Sequence, residues 1–231
     1  EKAGIAIMNA PEGNRNAVAE HVLGMVLAMS NNLHKGDREI RSGIWNREGN
    51  RGWELSGKTV GLLGYGYMGM ATAKKLNALG CRVIAYDKYK ESYSDEYVEE
   101  APLSTVFEES DIFSIHVPLT QETQGLVNSK FLERFRKPIH LVNTARGEIL
   151  ILNDLLKLID MGKVSGAALD VLENEKLSQL SDNQKVTFQN VLKSKKIILS
   201  PHVAGWTVES YKRINEVLAN KIEKYFDANP C

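Results

Sequence analysis

The 231-residue chain has little cysteine and no excess of either charge. Its two cysteines, Cys81 and Cys231, are far apart and form no Cys-x-x-Cys pair. That excludes a zinc-finger pattern and a disulfide framework, and it fits a reducing, cytoplasmic location. No metal site is expected. Lys plus Arg and Asp plus Glu both number 29, for a formal net charge of zero. With no basic run, a nucleic-acid partner is not expected. The most apolar window, Val22–Met29, falls well short of the roughly 20 residues needed to cross a bilayer, so no membrane partner is expected either. The opening residues show no secretory pattern. Repeats and low-complexity tracts are absent too. What remains is the composition of an ordinary globular protein, long enough for one large domain or one and a half small ones.

The richest local signal lies between Lys58 and Asp87. An apolar strand, Thr59–Leu63, runs into Gly64-Tyr65-Gly66-Tyr67-Met68-Gly69, then a helix pattern ended by Gly80, then a second strand, Arg82–Tyr86, stopping at Asp87. Gly64 permits a tight turn, Gly66 leaves room for a pyrophosphate, and Gly69 lets helix and strand pack closely. The helix start, at Tyr67 and Met68, offers free N–H groups and the positive end of the helix dipole to phosphates. Asp87 can accept hydrogen bonds from the adenosine ribose and repels a 2′-phosphate, which selects NAD over NADP. Lys88 and Lys90 follow it and could reach such a phosphate. Glycines alone are weak evidence; strand, loop, helix, strand and acid in this order are strong.

Around this unit, strands and helices alternate. An apolar strand at Ile5–Met8 and a helix at Asn14–Leu33 precede it. The helix is apolar round much of its circumference and should be buried on two sides. Arg41–Leu55 reads as a polar loop whose two tryptophans, Trp45 and Trp53, suggest docking or else cover the domain's own core. Tyr89–Glu100 is a surface loop. Further strands are expected at Asp111–Val117, Ile139–Asn143, Val164–Leu169 and Lys195–Leu199. Helices are expected at Leu103–Glu109, Ser129–Phe135, from an Asn153 cap to Gly162, at Val186–Leu192 and at Thr207–Phe226. Such alternation implies an α/β fold with a Rossmann-type, doubly wound parallel sheet. In such sheets ligands bind beyond the carboxyl ends of the strands. The polar residues there are Asp87, His116, Arg146, Asp170 and His202, with Glu175 shortly after Asp170. A guanidinium can grip a carboxylate at two points. An imidazole can exchange a hydroxyl proton, and a carboxylate can fix that imidazole's tautomer. Arg146, His202 and Glu175 suit these three tasks. His21, His34 and His140 are read as structural.

The chain resembles the D-isomer-specific 2-hydroxyacid dehydrogenases along nearly its whole length. The landmarks are Asn9-Ala10-Pro11 with Ala17–His21, the glycine loop, His116-Val117-Pro118-Leu119-Thr120, Val142–Gly147, Ala168-Leu169-Asp170-Val171 and Ser200-Pro201-His202-Val203-Ala204-Gly205. The resemblance implies an NAD-dependent enzyme moving a hydride between the cofactor and a D-2-hydroxy or 2-keto acid, of the phosphoglycerate or glycerate/hydroxypyruvate type. A non-catalytic NAD-sensing interaction protein is the alternative. Residue by residue, Arg146 takes the role of carboxylate anchor, His202 of acid–base catalyst and Glu175 of its partner. Lys176 stands where the family usually has proline, and Glu173 is a nearby second acid. Gly64, Gly66, Tyr67, Met68, Gly69, Asp87, Val117, Pro118, Thr144, Ala145, Arg146, Asp170, His202 and Gly205 are implied to border the cofactor. Because the first residue is Glu1 and a strand and helix precede the glycine loop, the chain is expected to be a piece of a larger protein. Residues 1–10 would end a mostly missing substrate lobe, residues 11–205 would form the NAD-binding domain, and residues 206–231 would return to the substrate lobe. The resemblance further implies a homodimer through the cofactor lobe, using the long helix and the tryptophan loop.

Overall fold

A computed structural model describes residues 5–228. Expectations touching Glu1–Gly4 and Cys231 lie outside them. Seven strands form one sheet: β1 Thr59–Leu63, β2 Arg82–Tyr86, β3 Glu99–Glu100, β4 Ile112–Ile115, β5 Ile139–Asn143, β6 Val164–Leu169 and β7 Ile197–Leu199. Their order is β3-β2-β1-β4-β5-β6-β7, and every pairing is parallel. The chain order reverses between β1 and β4, so the loops after these two strands part and open a crevice at the sheet's carboxyl edge.

The helices are α1 Pro11–Ser30, α2 Leu33–Arg41, α3 Tyr67–Asn77, α4 Leu103–Glu109, α5 Ser129–Leu132, α6 Leu152–Asp160, α7 Asp182–Lys193 and α8 Val208–Ala228. The sheet is buried on both faces, which is why its strands read as continuous apolar runs. One core layer gathers Phe113, Phe131 and Phe135 under α4, α5 and α6. The other packs α1 and α3 over Val60, Leu62 and Val83. α8 lies on α1. A side chain at Gly13 would meet the Ile214 backbone at 2.7 Å, and Arg213 Nε donates to the Gly13 carbonyl oxygen at 3.1 Å.

Several expectations change. Ile5–Met8 is not a strand, and Ile5 and Ile7 are exposed; a strand needs a ladder partner, and the sheet's edges are β3 and β7. The long helix begins at Pro11, whose missing N–H costs nothing at a first turn. It stops at Ser30, because Asn32 turns left-handed at φ 52° and starts α2. Trp53 packs on the core and against His140, with ring centroids 4.7 Å apart, so only Trp45 of the pair stands exposed. Asn153 does not cap α6. Ile151 holds that position, and Glu173 Oε2 accepts the Leu152 N–H at 2.9 Å from across the fold. α7 is longer than expected because Ser181 and Gln184 form a reciprocal capping box. Among the described residues, no helix is long and apolar enough to cross a membrane, and no group of three His, Cys, Asp or Glu side chains could hold a metal ion.

Candidate functional site

Each of β1, β4, β5, β6 and β7 delivers a loop to one cleft of about 810 Å³. The β1 loop is shaped by its glycines. Gly64 has φ +97°, and a β-carbon there would meet the His116 carbonyl oxygen at 2.8 Å. At Gly69 a β-carbon would collide with the Gly64 carbonyl oxygen. Gly66 is different: it has an ordinary φ of −82° and nothing within 4 Å of a β-carbon. Neither its backbone conformation nor packing within the chain demands glycine; a β-carbon there would take up open space in the cleft that Gly66 lines. Gly66 caps α3 without a side-chain bond, so the N–H groups of the helix's first turn remain available to an anion.

Asp87 lies behind this loop, outside the cleft's lining. Its Oδ2 accepts the Tyr65 N–H at 2.8 Å and its Oδ1 the Tyr89 N–H at 3.0 Å. Each oxygen keeps a lone pair for a ribose hydroxyl. Across the cleft stand Val117 and Pro118 after β4, and Thr144, Ala145 and Arg146 after β5. Thr144 is buried, and its hydroxyl has no partner. A buried polar atom without a partner at a cleft wall fits a ligand that supplies the missing bond. Open Gly66, free helix N–H groups, Asp87 and Thr144 together fit a dinucleotide.

Arg146 reaches this position through Asn143, a residue sequence reasoning passed over. Asn143 is fully buried; its Oδ1 accepts the Ala145 N–H at 3.0 Å and its Nδ2 donates to the Arg146 carbonyl oxygen at 3.0 Å. Asparagine at the end of a strand is a known turn former, so that signal was present. The guanidinium is exposed and lines the cleft.

His202 has φ +56°, a left-handed conformation that a non-glycine residue adopts only when its surroundings impose it. They do so through Asp170, which is buried. Its backbone oxygen accepts the His202 N–H at 2.8 Å. Its carboxylate accepts the Ser200 hydroxyl at 2.6 Å, the Val203 N–H at 2.9 Å and the Ala204 N–H at 2.8 Å. Ser200 gives its only proton to Asp170, so His21 Nε2, 2.9 Å from Ser200 Oγ, must donate to it. His21 thus belongs to the scaffold beneath the catalytic candidate, a role no local signal marks. The His202 Nδ1–H donates to Glu175 Oε2 at 2.9 Å. A carboxylate only accepts, so this bond places the neutral ring's proton on Nδ1 and leaves Nε2 as the exchanging atom. Glu173 is engaged elsewhere, and burial pushes its carboxyl up.

The cleft is thus bordered by Gly66, Tyr67, Met68, Val117, Pro118, Thr144, Ala145, Arg146, Asp170, His202 and Gly205. Gly64, Gly69 and Asp87 shape it from behind, and Glu175 lies in an adjoining apolar hollow of about 420 Å³. His116 also lines the cleft; it bonds to Ser114 Oγ at 2.9 Å, and desolvation lowers its pKa to about 4.

Comparison with known proteins agrees with this geometry. The family model described as D-isomer specific 2-hydroxyacid dehydrogenase, NAD binding domain, matches residues 23–204. A glyoxylate reductase from Thermofilum pendens is 38% identical over 229 residues, covering 96% of this chain and 65% of that protein. A D-3-phosphoglycerate dehydrogenase from Archaeoglobus fulgidus is 36% identical, over 95% of this chain and 40% of that protein. The crystal structure of an Aquifex aeolicus D-lactate dehydrogenase complexed with NAD and lactic acid superimposes with a TM-score of 0.87 at 26% identity, over 99% of this chain and 71% of that one. The chain therefore spans about two thirds or less of the length of these two curated relatives.

Proposed function

The chain belongs to the D-isomer-specific 2-hydroxyacid dehydrogenase family and carries its NAD-binding domain; from that premise we propose that the whole protein interconverts a D-2-hydroxy acid and its 2-keto acid with NAD(H), acting on the CH–OH group. The observation that carries this reading is the meeting, in one cleft, of Arg146, His202 and the open Gly66 cradle, with Glu175 bonded to His202 from the adjoining hollow. Bound NAD(H) supplies or accepts the hydride. The Arg146 guanidinium orients the substrate carboxylate by two parallel hydrogen bonds. His202 Nε2 gives or takes the proton of the C2 oxygen. Glu175 holds the ring in the tautomer that exposes Nε2 and stabilises the imidazolium. Asp170 holds the loop that carries His202 and faces the nicotinamide end, while Val117 and Pro118 flank the adenosine.

The names of the relatives favour small substrates: the 2-keto acids glyoxylate and hydroxypyruvate, and the 2-hydroxy acid phosphoglycerate. The division proposed is residues 1–10 as the end of a substrate lobe, 11–205 as the cofactor domain and 206–231 as a helix returning to that lobe. The protein works in the cytoplasm as a homodimer. Leu33, Ile40, Ile44 and Trp45, on and beside α2, are each more than half exposed and form the apolar face this pairing needs. The test is NADH oxidation by the full-length protein with glyoxylate, hydroxypyruvate, phosphohydroxypyruvate and pyruvate. Turnover with at least one, lost by a hundredfold or more in His202→Asn, is expected. No turnover with any of the four overturns the proposal.

A further inference from the structure

Outside the cleft's lining and away from the catalytic candidates, a polar clasp joins the segment after β2 to the turn after β4. Glu122 sits in the turn after β4, and Thr123 Oγ1, donating to the Pro118 carbonyl oxygen at 2.6 Å, anchors that turn. From there Glu122 Oε2 reaches the end of β2, accepting from Lys88 Nζ at 2.6 Å and from the Tyr89 hydroxyl at 2.7 Å. Lys88 Nζ also lies 5.5 Å from the centroid of the Tyr89 ring. The next lysine, Lys90, donates to the Tyr65 carbonyl oxygen at 2.6 Å, within the glycine loop. Both cations that follow Asp87 are therefore committed to partners inside the chain.

This arrangement bears on which dinucleotide the cleft accepts. The Tyr89 N–H bonds Asp87 Oδ1 at 3.0 Å, so an adenosine ribose held by Asp87 would have its hydroxyls beside Lys88 and Tyr89. A 2′-phosphate there carries about two negative charges and needs a free cation. Lys88 is the nearest candidate by sequence, yet its charge is matched by Glu122. The same contact raises the Lys88 pKa and lowers that of Glu122, favouring the charged form of each. A 2′-phosphate would face two carboxylates, Asp87 and Glu122, and a lysine already paired. The ribose hydroxyls of NAD need nothing from the clasp. Resting on the reading of this cleft as a dinucleotide site, we propose that Glu122 is a specificity-determining residue: by holding Lys88 and Tyr89 across the adenosine end, it excludes 2′-phosphorylated nucleotides.

The pair is solvent-exposed, so its effect is moderate. A single charge freed at about 5 Å in a largely aqueous setting changes the affinity for a 2′-phosphate by about 3- to 10-fold. The test is calorimetric titration of the chain with NADH and NADPH, and with the half-ligands 5′-AMP and 2′,5′-ADP. Wild type, Glu122→Gln, Lys88→Ala and the double variant are compared, after circular dichroism has established that each is folded. Glu122→Gln is expected to tighten NADPH and 2′,5′-ADP about 3- to 10-fold, with NADH and 5′-AMP within about twofold. That gain should vanish when Lys88→Ala is added, because the freed lysine carries it. Unchanged selectivity in Glu122→Gln, with NADH still bound, overturns the clasp alone. A gain that survives Lys88→Ala also overturns it, since Glu122 would then act only as a repelling charge. Failure of the wild type to bind either NADH or 5′-AMP overturns the dinucleotide reading, and the clasp with it.

Discussion

Replacing the three loop glycines by alanine separates residues kept for the fold from one kept for the ligand. At Gly66 the backbone already has dihedrals open to alanine, and the new methyl meets nothing within 4 Å. Loss of chain entropy in the unfolded state favours alanine by about 0.4–1 kcal/mol. Alanine is a poorer helix cap than glycine by a similar amount. The two nearly cancel, so Gly66→Ala should leave stability within about 0.5 kcal/mol and Tm within about 2 °C. At Gly64 the φ of +97° and the contact with the His116 backbone both oppose a side chain; strain and overpacking together cost about 2–4 kcal/mol, or about 5–12 °C. Gly69→Ala gains helix propensity, but its methyl strikes the Gly64 carbonyl, and a net loss of about 1–2 kcal/mol is expected. NADH affinity should fall at least about tenfold, or 1.4 kcal/mol, in Gly66→Ala although its fold is intact. Differential scanning fluorimetry and an NADH fluorescence titration read the two quantities. Unchanged NADH affinity in Gly66→Ala, or a Tm loss matching that of Gly64→Ala, would refute the assignment of Gly66 to the ligand.

Three further outcomes are expected. Asp170→Ala leaves the Ser200 hydroxyl and the Val203 and Ala204 N–H groups without their acceptor; urea denaturation should show a loss of about 3–5 kcal/mol, whereas His21→Asn should cost about 1 kcal/mol. His116 is held near pKa 4 in the fold against about 6.5 when unfolded. The unfolded chain therefore binds the extra proton first, and stability falls as pH drops from 7 toward 4, by up to about 3 kcal/mol from this residue. His116→Gln should flatten that part of a pH series of urea melts, and identical slopes in the two proteins would count against it. Trp45→Arg combined with Ile40→Ser should convert the proposed dimer to monomer in analytical ultracentrifugation, with the Tm of the separated chain nearly unchanged, because neither side chain is buried within its own chain; a wild type that sediments as a monomer would refute the dimer.

Elements whose information is local were legible at the level of single residues. β1, β2, α4, β5 and β6 begin and end where their apolar runs and turn residues say. The cofactor loop was equally legible, because the roles of Gly64 and Gly69 are steric consequences of a tight turn feeding a helix. Arg146 and His202 could be picked out as candidates because parallel strands bring the residues after them to one end of the sheet, and both do line the cleft there. The bounds of α1 and α7 were set by local caps, Pro11, Asn32 and the Ser181–Gln184 box, whereas other errors fall where a partner distant in sequence decides the outcome. Ile5–Met8 has strand composition but no strand beside it, and α6 is capped by Glu173 rather than by a residue of its own first turn. The resemblance pointed to Glu175 rather than Glu173, two positions before it, as the histidine's partner; chain direction after β6 turns Glu173 toward Leu152 and Glu175 toward His202.

The sequence by itself determined that the β1–α3 turn is built to suit a dinucleotide, because glycine spacing, helix dipole and terminal acid act within roughly 30 residues of chain. Only the tertiary structure decided that His21, Ser200 and Asp170 hold His202 in a left-handed conformation, and that Glu122 occupies Lys88. Hydrogen bonds between residues tens to hundreds of positions apart depend on where the sheet brings their strand ends, and no local pattern encodes that.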